Sequence, residues 1–278
     1  MVFNNLKKCS FCNNKKFLIK FKYSHPPKSE INFNIKSKNY KRSLISCTNC
    51  NHFFSKHKIN LNNFYSGKYN KMNYEGKLYE KLLKIISLPK KKSDNYFRVE
   101  RIKNFKLKYF DRKAKISLLD IGSGLGVFPY SIKKKTSWDC VSIDPDKSSV
   151  NHLKNNLKIK AHHGNFFKIR YFKKFNLITL NKVLEHVSNP IKFLKKTKNN
   201  LQKDGIVYLE VPDAEKASKK GKNREEFFID HLHVFSKLSL YLMSIKAGFE
   251  VLKVARVKEP SGKYTLYSFL KILRNNNE

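Results

Sequence analysis

Acidic residues are scarce in this chain: 21 Asp and Glu stand against 59 Lys and Arg among 278 residues, a formal net charge of +38. Arginine is scarce too, supplying only 8 of the basic residues while lysine supplies 51. Recognition of bases and phosphates leans on the bidentate guanidinium fork. A lysine excess spread along the chain beside 29 asparagines reads instead as a solvated surface with the bias of an AT-rich genome. Long hydrophobic runs are missing: none approaches the roughly 18 residues that cross a bilayer. Residues 1–22 are interrupted by Lys and Asn every few positions, which points away from a membrane span and from secretion and toward a cytoplasmic protein. What is present is a core. Apolar residues make up 40% and aromatics 13%, which excludes a wholly disordered basic tail.

Five cysteines occur, and four of them form two Cys-x-x-Cys knuckles, Cys9-Ser-Phe-Cys12 and Cys47-Thr-Asn-Cys50. Each tight turn can hold one edge of a tetrahedral ion, so the four thiolates are expected to bind one structural Zn2+. Two disulfides would need an oxidising compartment, and a thioredoxin-like redox pair needs one knuckle rather than two. With four cysteines available, His52 is expected at the surface. Cys140, in an apolar segment, is expected to be an inert core thiol.

The chain divides by pattern into three parts. Residues 1–65 are expected to form a small zinc ribbon, with strands over 17–21 and 31–35, that depends on its metal to fold. Residues 66–115 carry Tyr79, Leu82, Leu83 and Ile86, then Phe97, Ile102, Phe105 and Phe110, at helical spacing, with a break at Pro89; they are expected to be a helical connector. From 116 to 278, β-rich runs at 116–121, 139–143, 177–180 and 206–211 alternate with amphipathic stretches such as 191–201 and 236–247. Segments 249–257 and 265–270 read as a closing hairpin. This alternation predicts an α/β fold, a doubly wound parallel sheet covered on both faces, with ligands beyond the carboxyl ends of its strands.

The most informative stretch is Leu118-Leu-Asp120-Ile-Gly122-Ser-Gly124-Leu-Gly126, a strand entering a glycine turn before a helix. Its spacing differs from the dinucleotide fingerprint G-x-G-x-x-G, and no Walker lysine follows. The segment resembles motif I of the seven-strand S-adenosylmethionine-dependent methyltransferases. That resemblance implies a seven-strand sheet, S-adenosylmethionine as cofactor, and Asp120, Gly122, Gly124 and Gly126 around its methionine end. Asp144 follows at the end of the next strand, 22 residues beyond Gly122, where an acidic side chain can accept both hydrogen bonds of a ribose diol. Asn165 stands where the family usually has an acid contacting the adenine amino group; it is read either as that acceptor or as a turn asparagine. The segment 175–190 looks like the family's fourth strand and the Leu-Glu-His-Val stretch after it. It places Asn181 among the cofactor-binding residues, with Glu185 and His186 lining the pocket or capping a short helix.

In Phe227-Phe-Ile-Asp230-His231-Leu-His233-Val-Phe235-Ser236 an acid beside a histidine can orient and tune the imidazole as a base. The stretch is similar to the "His-Glu-His…Phe-Ser" segment of sugar C-methyltransferases, which also carry an N-terminal four-cysteine zinc module. Asp230 stands where they have Glu, His231 keeps its His, and Ile229 replaces their first His. The resemblance implies Asp230 and His231 as the catalytic pair, and the replacement favours an oxygen over a carbon acceptor. Phe64-Tyr65-Ser-Gly-Lys-Tyr69 looks like the "Tyr-Tyr…Tyr" segment of methyltransferases of bacterial surface-polysaccharide and sugar biosynthesis, which implies a small, sugar-like acceptor. Two other functions compete. A zinc-containing ribosomal or transfer RNA methyltransferase would give the positive charge a task. A non-catalytic zinc-ribbon binding protein with a decayed methyltransferase fold is opposed by the intact glycine turn and Asp144.

Overall fold

The computed structural model describes residues 6–33, 35, 40–59, 77–111, 113–169 and 173–273. The segment 64–69 and the expected boundary at 65 lie outside the described residues.

The N-terminal part is a three-strand antiparallel meander, β1 (Phe17–Tyr23), β2 (Arg42–Cys47) and β3 (Phe53–His57). The strand expected over 31–35 is not seen among the described residues there: Ile31, Asn32, Phe33 and Ile35 are irregular. The alternation there reflects burial without a partner strand, since Phe33 packs with Tyr23, Tyr40 and Leu44 in the link between β1 and β2. The described part of the connector carries two helices. Helix α1 (Leu78–Ile86) ends before Pro89, and α2 (Asp94–Tyr109) starts at Ser93, whose side chain accepts from the Tyr96 N–H.

The rest of the chain alternates as expected. In order come β4 (Ser117–Ile121), α3 (Val127–Lys135), β5 (Asp139–Asp144), α4 (Lys147–Asn155), β6 (Lys160–His163), β7 (Phe175–Asn181), α5 (Pro190–Thr197), β8 (Leu201–Pro212) and α6 (Ala214–Ser218). Then follow β9 (His233–Val234), α7 (Lys237–Lys246), β10 (Phe249–Lys258) and β11 (Tyr264–Ile272). Seven strands make one sheet in the order β10-β11-β8-β7-β4-β5-β6. Strands β4 to β8 run parallel, while β11 is antiparallel to both β8 and β10, so the last two strands form the expected hairpin. The chain builds outward from β4 to β6 and then returns to lay β7 on the other side of β4. That reversal opens a crevice at the carboxyl ends of β4 and β7, where doubly wound sheets bind ligands. Helix α2 is clamped to the sheet by Arg98 and Arg101, which meet the buried Glu210 of β8 at 2.6 and 2.8 Å.

The ribbon does not stand apart. Strand β9 pairs with β3 through Phe53↔Val234 and Phe54↔His233, giving a four-strand sheet whose last strand comes from the segment between β8 and α7. His52, expected at the surface, is fully buried in this junction. Its Nδ1 lies 3.1 Å from Ser239 Oγ and its Nε2 shares a 3.0 Å hydrogen bond with His233 Nδ1. Phe11, Phe54 and Phe235 surround the ring with centroids 4.3, 4.5 and 4.7 Å away. An imidazole with both nitrogens bonded can be buried neutral, which the count of metal ligands does not reveal.

Candidate active site

The two knuckles fold as near copies. The residue after each second cysteine, Asn13 or Asn51, is left-handed at φ 63° or 52°, a region asparagine tolerates better than most residues. Its N–H donates back to the first cysteine's carbonyl, Asn13 to Cys9 at 2.9 Å and Asn51 to Cys47 at 3.0 Å. The turns bring the Sγ atoms of Cys9, Cys12, Cys47 and Cys50 within 4.8 Å of one another. The cross pairs Cys9–Cys50 and Cys12–Cys47 stand 3.6 and 3.4 Å apart, well beyond a disulfide bond of about 2.05 Å. Thiolates around one tetrahedral ion stand about 3.8 Å apart, from a metal–sulfur bond of ~2.3 Å, so the donor set fits such an ion. Cys140 is half-buried, and burial pushes its thiol well up, as an inert thiol requires.

A cleft of about 430 Å³ opens at the carboxyl ends of β4, β5 and β7. Gly122, Gly124, Asp144 and Asn165 line it; Asp120, Gly126 and Asn181 do not. Gly124 is left-handed at φ 50°, and a Cβ there would project into open space, so the missing side chain leaves room for a ligand against the backbone. Its N–H donates to Asp144 Oδ2 at 2.8 Å, and the Asp146 N–H donates to Oδ1 at 2.9 Å. Burial pushes the Asp144 carboxyl up to about 6 against the pull of those two donors. Gly126 serves packing instead: a Cβ would come within 2.6 Å of Leu153 and 2.8 Å of Leu157. Asp120 is buried between strands, where its Oδ1 accepts from Thr179 Oγ1 at 2.6 Å and Asn181 Nδ2 at 3.1 Å, tying β4 to β7. The Asn165 oxygen accepts from the Phe167 N–H at 2.9 Å, the turn role that the sequence left open.

One wall of the cleft is aromatic, which the motifs do not announce. Phe166 and Phe167 lie 5.3 and 5.1 Å from Phe193, and all three line the cleft, as do Lys182, Val183 and His186. The Phe166-Phe167 pair directly after Asn165 was the available signal; Phe193 arrives from another helix.

At the cleft's edge the expected Asp230–His231 pair is rearranged. His231 sits in a turn closed by its N–H to the Phe228 carbonyl at 3.0 Å, and its Nδ1 meets the Glu226 carbonyl, also at 3.0 Å. The Asp230 carboxylate instead lies 3.7 Å from His186 Nδ1. The turn sends adjacent side chains apart, so Asp230 reaches the histidine from β7's loop while the two imidazoles pack at 4.9 Å. No helix follows β7 directly: the chain turns at His186, whose N–H donates to the Val183 carbonyl, and Glu185 is buried behind it.

The profile of a family described as "Methyltransferase domain" matches residues 95–254. The ubiquinone biosynthesis O-methyltransferase of Pelagibacter ubique is 31% identical over 120 residues, 41% of this chain and 50% of that protein. The chain thus spans about half the length of the curated relative it matches. An S-adenosylmethionine-dependent methyltransferase from Clostridium acetobutylicum superposes with a TM-score of 0.51 at 14% identity, over 74% of this chain and 99% of its own. A second, from Aquifex aeolicus, gives 0.50 at 22% identity, over 70% and 98%. At these identities the likeness shows the fold.

Proposed function

The chain belongs to the methyltransferase-domain family, and on that premise we propose that it transfers the methyl group of S-adenosylmethionine to a hydroxyl of a small, sugar-like acceptor in surface-polysaccharide biosynthesis. The observation that carries this reading is the cleft at the turn of the sheet, where Gly124 leaves open space beside a buried Asp144. S-adenosylmethionine, when bound, supplies an electrophilic methyl group on its sulfonium. The residues present fit it. Each Asp144 oxygen keeps a lone pair beyond its backbone bond and can accept from a ribose hydroxyl. Gly122 and Gly124 admit the methionine end, and Phe166, Phe167 and Phe193 offer apolar faces to the adenine. Asp120 and Asn181 act at one remove, holding β4 to β7, and Gly126 lets α3 close on α4. Asn165 is spent on its turn through the oxygen and keeps its amide N–H2 for the cleft. His186 and His231 receive the acceptor hydroxyl, with Asp230 positioning His186.

The cysteine cluster is proposed to hold one structural Zn2+, since four protein thiolates leave no position for water. No helix among the described residues is long and apolar enough to cross a membrane, and we place the protein in the cytoplasm. An RNA acceptor is disfavoured by where arginine goes. Each described arginine meets a carboxylate: Arg42 with Glu30, Arg98 and Arg101 with Glu210, Arg224 with Glu226, and Arg256 with Asp213. A decayed, non-catalytic fold is disfavoured by the open cleft. Methyl-tritiated S-adenosylmethionine offered with nucleotide sugars and with total RNA tests the assignment. Label should enter the sugar fraction; label confined to RNA would contradict the assignment.

A further inference from the structure

At the cleft's edge, Glu185, His186 and His231 each bring a ligand atom within 4.8 Å of the others. The two imidazoles are set alike: His186 Nδ1 lies 2.9 Å from the Asp230 carbonyl oxygen, and His231 Nδ1 lies 3.0 Å from that of Glu226. A carbonyl only accepts, so each Nδ1 carries the proton and each neutral ring keeps its lone pair on Nε2. Fixing the tautomer by an outer carbonyl is how metal-bound histidines are held. Glu185 is fully buried, and neither of its carboxylate oxygens has a hydrogen-bond partner among the described residues. Lys182 acts on it through space, but the Lys182 Nζ donates to Thr265 Oγ1 at 2.6 Å. A carboxylate buried without a donor is heavily penalised unless a cation sits against it.

We infer that Glu185, His186 and His231 form a second metal site, which takes a divalent first-row transition ion through one carboxylate oxygen and two imidazole Nε2 atoms. Two nitrogens and a carboxylate leave coordination positions open, unlike the closed four-sulfur cluster. Because His186 lines the cleft, those positions neighbour the space assigned to the methyl donor. The role of the ion rests on the methyltransferase reading. The acceptor hydroxyl oxygen fills an open position, and the ion lowers its pKa so that the proton passes to solvent. The oxygen's electron pair then attacks the methyl carbon; the C–O bond forms as the C–S bond breaks, and S-adenosylhomocysteine leaves with the sulfur pair.

The test is titration of the full, metal-stripped chain with Co2+ alone, followed by visible and near-ultraviolet absorption. Thiolate ligands give intense charge-transfer bands, whereas nitrogen and oxygen ligands give only weak visible bands. The expected result is two Co2+ per chain, one with the thiolate signature and one without. His186→Ala and His231→Ala should each lower the count from two to one and leave the thiolate bands in place, which also reports that the variant is folded. One Co2+ per wild-type chain, two in His231→Ala, or joint loss of both signatures in the two variants would overturn the site. Binding of S-adenosylmethionine, measured in parallel, separates the two claims. A chain that takes the second ion but not the cofactor keeps the site and loses the methyltransferase reading.

Discussion

Asp144 ends β5 with both carboxylate oxygens already accepting backbone N–H bonds, and burial still pushes its carboxyl up to about 6 from an ordinary 3.8. Between those values the folded, unliganded chain holds a proton that the unfolded chain has released. The group's contribution to stability is therefore fully present below pH 3.8 and is lost as pH rises through about 6. In the proposed site cofactor binding would run the other way, because ribose hydroxyls would donate to the ionised form. Affinity for S-adenosylmethionine should fall as pH drops through 6, approaching about tenfold per unit. Asp144→Asn should flatten that profile, and Asp144→Ala should weaken binding by about 1.5–3 kcal/mol, the range for a lost charged hydrogen bond. Calorimetric titrations below and above pH 6 check all three. This residue was legible because strand, glycine turn and next strand are contiguous in sequence. The Glu185–His186–His231 cluster was not, since its members meet only when two loops fold together, and no spacing announces that Asp230 faces His186 rather than its neighbour.

The element that couples the two parts of the chain is β9, two residues long and defined wholly by its partner. It zips onto β3, while the Leu232 and His233 N–H groups both donate to the Glu185 carbonyl, at 2.7 and 3.1 Å. The ribbon's knuckles were visible as Cys-x-x-Cys, and six of the seven main-sheet strands as apolar runs. A two-residue strand and the irregular stretch at 31–33 carry no periodicity that distinguishes them. Chelation or Cys47→Ser should release the four-sulfur cluster and melt the sheet built on it. In hydrogen exchange, amides of β1, β2, β3 and β9 should lose protection while those of β4 and β5 keep it. Turnover should drop with the loss of the His231 segment, and S-adenosylmethionine should still bind. His52→Ala removes a buried ring and two hydrogen bonds at the same junction, and should cost on the order of 3 kcal/mol in denaturant unfolding.

At the scale of the whole molecule, every described arginine meets a carboxylate, whereas only a few of the many lysines do. The described arginines are engaged in ion pairs inside or along the fold, and the charge of +38 rests on lysine. RNA should therefore bind only as a polyelectrolyte, with affinity collapsing as salt approaches roughly 200 mM; tight binding that persists there would favour an RNA acceptor. The sheet class and the end at which the cleft opens were legible from alternation and one motif, because parallel strands buried on both faces read as apolar runs. The burial of His52 and the sharing of β9 were not, since they depend on how two modules meet. The proposed function stands or falls with the cleft beside Gly124 and Asp144 as a nucleoside site for the methyl donor. Calorimetric titration of the purified chain with S-adenosylmethionine tests it most directly. Saturable binding at one site per chain, weakened in Asp144→Ala, is the expected result; no heat with S-adenosylmethionine but clear binding of NAD would overturn the nucleoside-site assignment.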